Sequence, residues 1–198
     1  MAHSRIAYLA RRASLPPIAA LPALLALLAG PTDPALAQAP GCPLTTEAVV
    51  AQALGTPVHG EATAGVPEGM DLCDFLDGAG TDYGVARQQN AFGPGAAAGP
   101  AALAQKYLPT LPEAALQQID ALRQAGMSVT LPGYQVTVVG GVGDTALWVQ
   151  RELLPGFFKD SLLVQQGSAA FAFDVDDAPG AQATLIALAQ AVLANGAA

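Results

Sequence analysis

Basic residues are what this chain has least of. Eight lysines and arginines stand against sixteen aspartates and glutamates in 198 residues, a formal charge of −8. Three of the eight, Arg5, Arg11 and Arg12, fall in the first twelve residues, so from residue 38 onward five basic residues face fifteen acidic ones, or −10. A phosphate backbone is repelled by such a surface, and no Lys/Arg stripe is present, so nucleic-acid binding is not expected. The same charge disfavours an anionic membrane face. Histidine is scarcer still: of the two, only His59 lies beyond the N-terminal segment. An imidazole-built metal site or a serine–histidine relay has almost nothing to draw on. Cysteine is limited to Cys42 and Cys73. Their separation is not the Cys-x-x-Cys of a redox pair, and an isolated pair in an exported chain points to a disulfide. Such a link contributes about 3 to 4 kcal/mol through unfolded-chain entropy.

What is present begins with the layout of an export signal. Arg5, Arg11 and Arg12 make a basic leader, and residues 18–29 an apolar stretch broken by Pro22. That stretch is shorter than the roughly 20 residues needed to cross a bilayer. Ala35-Leu36-Ala37 supplies the small residues a signal peptidase reads, so residues 1–37 are expected to be removed. Residues 38–43 then form a short tether and residues 44–198 a single domain of ordinary size. Cys42 also lies where a lipid anchor would attach, but Ala39-Pro40-Gly41 lacks the aliphatic residue of a lipobox. A periplasmic or secreted protein without that anchor is expected.

Apolar periodicity outlines the elements. Thr45 reads as the cap of a first helix that ends at Gly55 and Pro57, and residues 58–70 as a glycine-rich loop with at most an edge pairing. Residues 72–76 and 83–92 form a hairpin, and residues 93–100, GPGAAAGP, a low-complexity hinge. Helices are expected over 101–108 and from a Thr110/Glu113 capping box to about Gly126, with Ala115, Ile119 and Leu122 as their stripe. Residues 134–139 read as the central strand. Residues 146–150, 162–165 and 169–175 are further strands, the last two joined across Gly167-Ser168 by a type II′ turn. Asp177 or a neighbour caps a closing helix with Ala181, Leu185, Leu188, Ala189 and Val192 buried, ending at Asn195-Gly196. The expected fold is α+β, a mostly antiparallel sheet of about five strands with helices on one face and one disulfide.

Chemistry is thin. Gly141-Val142-Gly143-Asp144-Thr145-Ala146 matches G-x-G-x-x-A, yet β-prone Leu147-Trp148-Val149 comes next where a pyrophosphate-binding helix belongs, so it reads as a glycine-rich turn. Asp71, Asp74, Asp77 and Asp82 are dense but not spaced as a calcium loop. Asp77-Gly78 suits a hairpin turn, and Asp174, Asp176 and Asp177 a strand end and helix cap. No metal and no cofactor are expected. Trp148, Arg151, Phe157 and Phe158 form an aromatic and arginine cluster with the composition of a binding hot spot, the two phenylalanines at the tip of an excursion over residues 154–160. Those phenylalanines also suit contact with a membrane surface.

Together these residues resemble a known pattern. Cys42 precedes a Leu44-Thr45 helix ending in Leu54-Gly55, Cys73 precedes Phe75, and Val142-Gly143-Asp144-x-Ala146 leads into a strand pair and a last helix. This resembles small exported bacterial proteins and lipoproteins of unknown function with a paired-cysteine α+β domain, the actinobacterial lipoprotein-like family. The chain departs from it in its poor lipobox and in an insertion over residues 151–160. The resemblance implies a disulfide-linked envelope domain and carries over no catalytic residue. The expected function is therefore a secreted or periplasmic non-enzymatic binding domain for a protein or small apolar ligand of the envelope. The alternative, which leaves enzyme activity open, is a small envelope hydrolase using carboxylate catalysis.

Overall fold

The computed structural model describes residues 41–93, 99–154, 157–176 and 178–195, all within the unit Leu36–Ala198. The expected signal segment with its cleavage after Ala37, most of the tether, the centre of the 93–100 hinge, Asp177, Gly196 and the side chain of Phe157 lie outside the described residues. The elements are α1 (Glu47–Leu54), β1 (Val58–Ala62), β2 (Met70–Asp77), β3 (Asp82–Gln88), α2 (Pro100–Tyr107), α3 (Glu113–Asp120), β4 (Ser128–Leu131), β5 (Tyr134–Val139), β6 (Thr145–Leu154), β7 (Phe157–Gln166), β8 (Ala169–Asp176) and α4 (Ala181–Ala194).

All eight strands form one sheet in the order β1-β2-β3-β8-β7-β6-β5-β4, every pairing antiparallel. Two meanders meet where β3 pairs with β8. Helices α2 and α3 carry the chain from β3 to the far edge, and the second meander returns from there. Eight strands replace the expected five or so. The additional ones, β1 and β4, are edges of five and four residues, whose alternation is real but too short to stand out in the sequence. The segment 157–160, expected as an excursion, is the first half of β7 and pairs with β6 up to Leu154↔Phe157.

Helices cover both faces, not one. On one face α1 and α4 close over Phe75, Val85, Trp148, Leu162, Val164, Phe171 and Phe173. On the other, α2 and α3 close over Val136, Leu147, Val149, Leu163 and Ala172. The reason is visible in runs such as Leu147-Trp148-Val149 and Leu162-Leu163-Val164, apolar at odd and even positions alike, as strands buried on both sides are. Phe171 and Phe173 lie stacked with ring centroids 6.3 Å apart under α4. The strand expected at the centre, β5, is second from the edge; β8, buried throughout save its ends and Asp174, lies inside.

Local chemistry explains the remaining differences. Thr46, not Thr45, caps α1, its hydroxyl accepting from the Val49 amide at 3.4 Å, and Gly55 ends the helix at φ 71°. The Thr110/Glu113 capping box is not formed, because Pro112 occupies the cap of α3. Gly180, at φ 79°, caps α4. Gly167 at φ 59° is followed by a serine with no positive φ, which fits the expected type II′ turn. Cys42 and Cys73 are bonded, with Cα atoms 5.6 Å apart, tying the approach to α1 to the buried middle of β2.

Candidate functional site

Strand register sorts the expected hot spot onto two sides of the sheet. Along β6, Trp148 points into the α1/α4 layer and is 6 % exposed, while Arg151, three residues on, points to the α2/α3 side. Phe158 pairs with Glu152 and so shares the Trp148 face; it is half-buried beside Tyr134, Gln135 and Gln150. The hairpin end is apolar, with Leu153 41 % and Leu154 67 % exposed.

The α2/α3 side is only partly roofed. One register row crosses all eight strands on that side: Glu61, Asp74, Gly84, Asp174, Ser161, Val149, Val136 and Val129. Its apolar end lies under the helices and its polar end is bare. The next row outward holds His59, Leu76 and Asp82 on β1–β3, and Lys159, Arg151 and Tyr134 on β7–β5, with Asp176 opposite Lys159. The bare strip is thus acidic along β1–β3 and β8 and basic where β7 meets β6.

Between the basic end and the last turn of α2 lies a cleft of about 180 Å³ lined by Tyr107, Leu108, Val149, Arg151, Lys159, Ser161, Leu163, Ala172 and Asp174. Of the hot-spot residues whose side chains are described, Trp148, Arg151 and Phe158, Arg151 alone lines it. Val149, Leu163 and Ala172 form an apolar floor. The Ser161 hydroxyl donates to Asp174 Oδ1, and the second Asp174 oxygen accepts no hydrogen bond among the described residues. The Tyr107 hydroxyl is buried without a hydrogen-bond partner. Burial first, and the charge of Asp174 second, push its pKa above the ordinary tyrosine value, so it remains a neutral donor. Arg151 and Lys159 are cross-strand neighbours, and neither forms an ion pair among the described residues.

The acidic part has a different character. His59, Glu61, Thr63, Asp74, Leu76 and Asp82 line a broader hollow of about 560 Å³. Burial, then the charges of Asp74 and Asp176, raise the Asp82 carboxyl above its ordinary range, with Lys159 opposing. His59 is exposed and its Nδ1 lies 3.0 Å from Glu47, whose carboxylate also accepts the Gly60 amide and is thereby lowered in pKa. Glu47 so covers part of the exposed β1 edge. Asp71 holds Arg87 through Nε and Nη2 at 3.0 and 2.8 Å, and Asp77 closes its turn by accepting from the Ala79 and Thr81 amides. Among the described residues no group of three or more His, Cys, Asp or Glu is placed to hold a metal ion.

The glycine motif is a brace. Gly143, at φ 55°, brings the chain so close to β7 that a Cβ there would collide with the Gln165 carbonyl and Val164 Cγ1. Asp144 then accepts the Gly167 amide at 2.7 Å and donates its own amide to Gln165 at 2.8 Å. The motif opens into strand β6 instead of a helix, so the residues Val142 to Ala146 lock the β7–β8 turn. Tyr107, Lys159, Ser161 and Asp174, absent from the sequence-derived candidates, come together because β7 and β8 pair through Ser161↔Asp174 and α2 lies above them. The signal that could have found them is the polar interruption of apolar strands at Lys159, Ser161 and Asp174.

Among the described residues no helix is long and apolar enough to cross a membrane, and the disulfide points to an oxidising, extracytoplasmic compartment. No family model, curated protein or solved structure matches the chain.

Proposed function

We propose that the protein is a periplasmic or secreted, non-enzymatic binding module that takes a small ligand in the cleft between α2 and strands β6–β8. The observation that carries this reading is the Tyr107 hydroxyl, a buried donor with no partner among the described residues, on a residue lining a cleft that combines an apolar floor with polar groups of three strands. A buried hydroxyl without a hydrogen bond costs about 1–3 kcal/mol, a cost most simply met when a bound molecule supplies the acceptor. A carboxylate hydrolase needs two facing acids, whereas Asp174 is the one carboxylate lining the cleft among the described residues, and Asp74 and Asp82 line the separate, broader hollow. This favours binding over carboxylate catalysis. The apolar hairpin end, Leu153 and Leu154 with Phe158 behind them, suits a protein or membrane-surface contact secondary to the cleft.

The test is titration of the isotopically labelled protein with fractionated small-molecule extract, followed by amide NMR and mass spectrometry of the recovered fraction. The reading predicts shifts centred on Val149, Ser161, Leu163 and Ala172 and a ligand recovered unchanged. Shifts confined to other surfaces, or a ligand returned as product, would contradict it.

A further inference from the structure

Resting on that reading, we infer that the cleft takes a small carboxylate bearing an adjacent hydroxyl or ammonium group. The anionic end belongs to Arg151 and Lys159. From residue 38 onward the chain has only five basic side chains, and two of these stand directly opposite one another across β6 and β7. Like charges in that position repel; Asp176 faces Lys159 from β8 and Asp82 attracts it at longer range, but among the described residues no carboxylate comes within ion-pair distance of either cation. Two other cations are paired, Arg87 with Asp71 and Arg123 with Asp120, so acidic residues are not wanting elsewhere. A carboxylate lodged between the two side chains would turn the repulsion into two charge-assisted hydrogen bonds.

The second group is dictated by Asp174. Its Oδ1 is occupied by Ser161 while its other oxygen accepts no protein donor among the described residues, so a bare anion would meet one carboxylate head-on. A ligand that carries a donor beside its carboxylate satisfies Asp174 with one group and the cations with the other. Size sets the third constraint. A closed cavity of about 150 Å³ accepts a molecule of roughly six heavy atoms, so about 180 Å³ in this open-sided cleft has room for a molecule of amino-acid or short hydroxy-acid size. The floor of Val149, Leu163 and Ala172 leaves room for a short apolar substituent.

A structural role for the two cations is the competing account, because positive charge near the C-terminal end of α2 offsets its dipole. No hydrogen bond joins Arg151 or Lys159 to that helix end among the described residues, which leaves the pair without a direct structural contact there.

The test is an amide NMR titration of the protein with glycolate, glycine, acetate and inorganic phosphate at constant ionic strength and pH 7, with chloride as the control. Glycolate or glycine is expected to shift Val149, Ser161, Leu163 and Ala172 saturably, and to bind at least about tenfold more tightly than acetate. Arg151→Gln and Lys159→Gln should each weaken that binding about tenfold or more. Asp174→Asn should bring glycolate and acetate to within about threefold of each other. Melting temperatures of the variants separate the two accounts: the binding account leaves them within a few degrees of the parent. The inference is overturned if phosphate alone binds, if no probe shifts the cleft amides, or if Arg151→Gln and Lys159→Gln lower the melting temperature while leaving glycolate affinity intact. Should an extract ligand still reach the cleft in those two variants, the binding reading stands and only the carboxylate assignment fails.

Discussion

The two faces of the sheet are built to different ends. Under α1 and α4 the sheet is sealed, with Phe75, Phe171, Phe173, Leu185, Leu188 and Val192 fully buried and a disulfide stitched through the layer at Cys73. Under α2 and α3 the cover consists of two eight-residue helices that leave charged rows on β1–β3 uncovered. One surface is spent on cohesion and the other is left incomplete. The difference shows where a small single-sheet domain has latitude for a site: on the strip beyond the α2/α3 core that no helix covers.

Ways to break this contrast run from large effects to small. Phe173→Ala removes a ring that stacks on Phe171 beneath α4, and should cost about 4 kcal/mol in urea denaturation. Replacing Cys42 and Cys73 together by alanine releases a 31-residue separation and should cost about 3.5 kcal/mol in the chain-entropy model, measured the same way under non-reducing conditions. Gly143→Ala forces a Cβ against the Gln165 carbonyl and loosens the Asp144 brace on Gly167; about 2 kcal/mol should be lost, read as a lower melting temperature. All three belong to the sealed side or its braces. An equal loss from Arg151→Gln on the open side would erase the distinction.

The smallest effect sharpens it. Asp82 has its pKa raised above the ordinary 3.8, first by burial and then by Asp74 and Asp176. A folded-state value above the unfolded one means that the folded protein holds this proton more tightly. Its contribution to stability is therefore present below pH 3.8 and is lost as pH rises through the folded value, leaving uncompensated repulsion at neutrality. Asp82→Asn should raise stability by about 0.5 kcal/mol at pH 7, the figure kept small by solvent screening, and the gain should vanish near pH 3.

How far the sequence disclosed this arrangement varied by element. The disulfide was legible in two lone cysteines, and the closing helix in the spacing of Leu185, Leu188 and Val192. The edge strand β4 was not, and β1 only as an edge pairing within a loop, because their burial alternates over just four and five residues, too short a run for the period to stand out. Helices on both faces were written in the unbroken apolar runs of β6, β7 and β8, which cover on one face alone does not explain. Arg151 was legible as a candidate; its partners were not. Trp148 and Arg151 are near in sequence yet on opposite sides, while Lys159, Ser161 and Asp174 reach the same side as Arg151 only through pairings that composition does not reveal.

The central claim, that the uncovered strip around Arg151 and Lys159 is kept for a ligand and not for stability, is tested most directly by urea denaturation of the Arg151→Gln/Lys159→Gln double variant beside its parent. Two mutually repelling cations without ion-pair partners predict a stability within about 0.5 kcal/mol of the parent, in a protein that no longer responds to glycolate or glycine. A loss of more than about 2 kcal/mol would show that the pair serves the fold, and the contrast between the faces would fail.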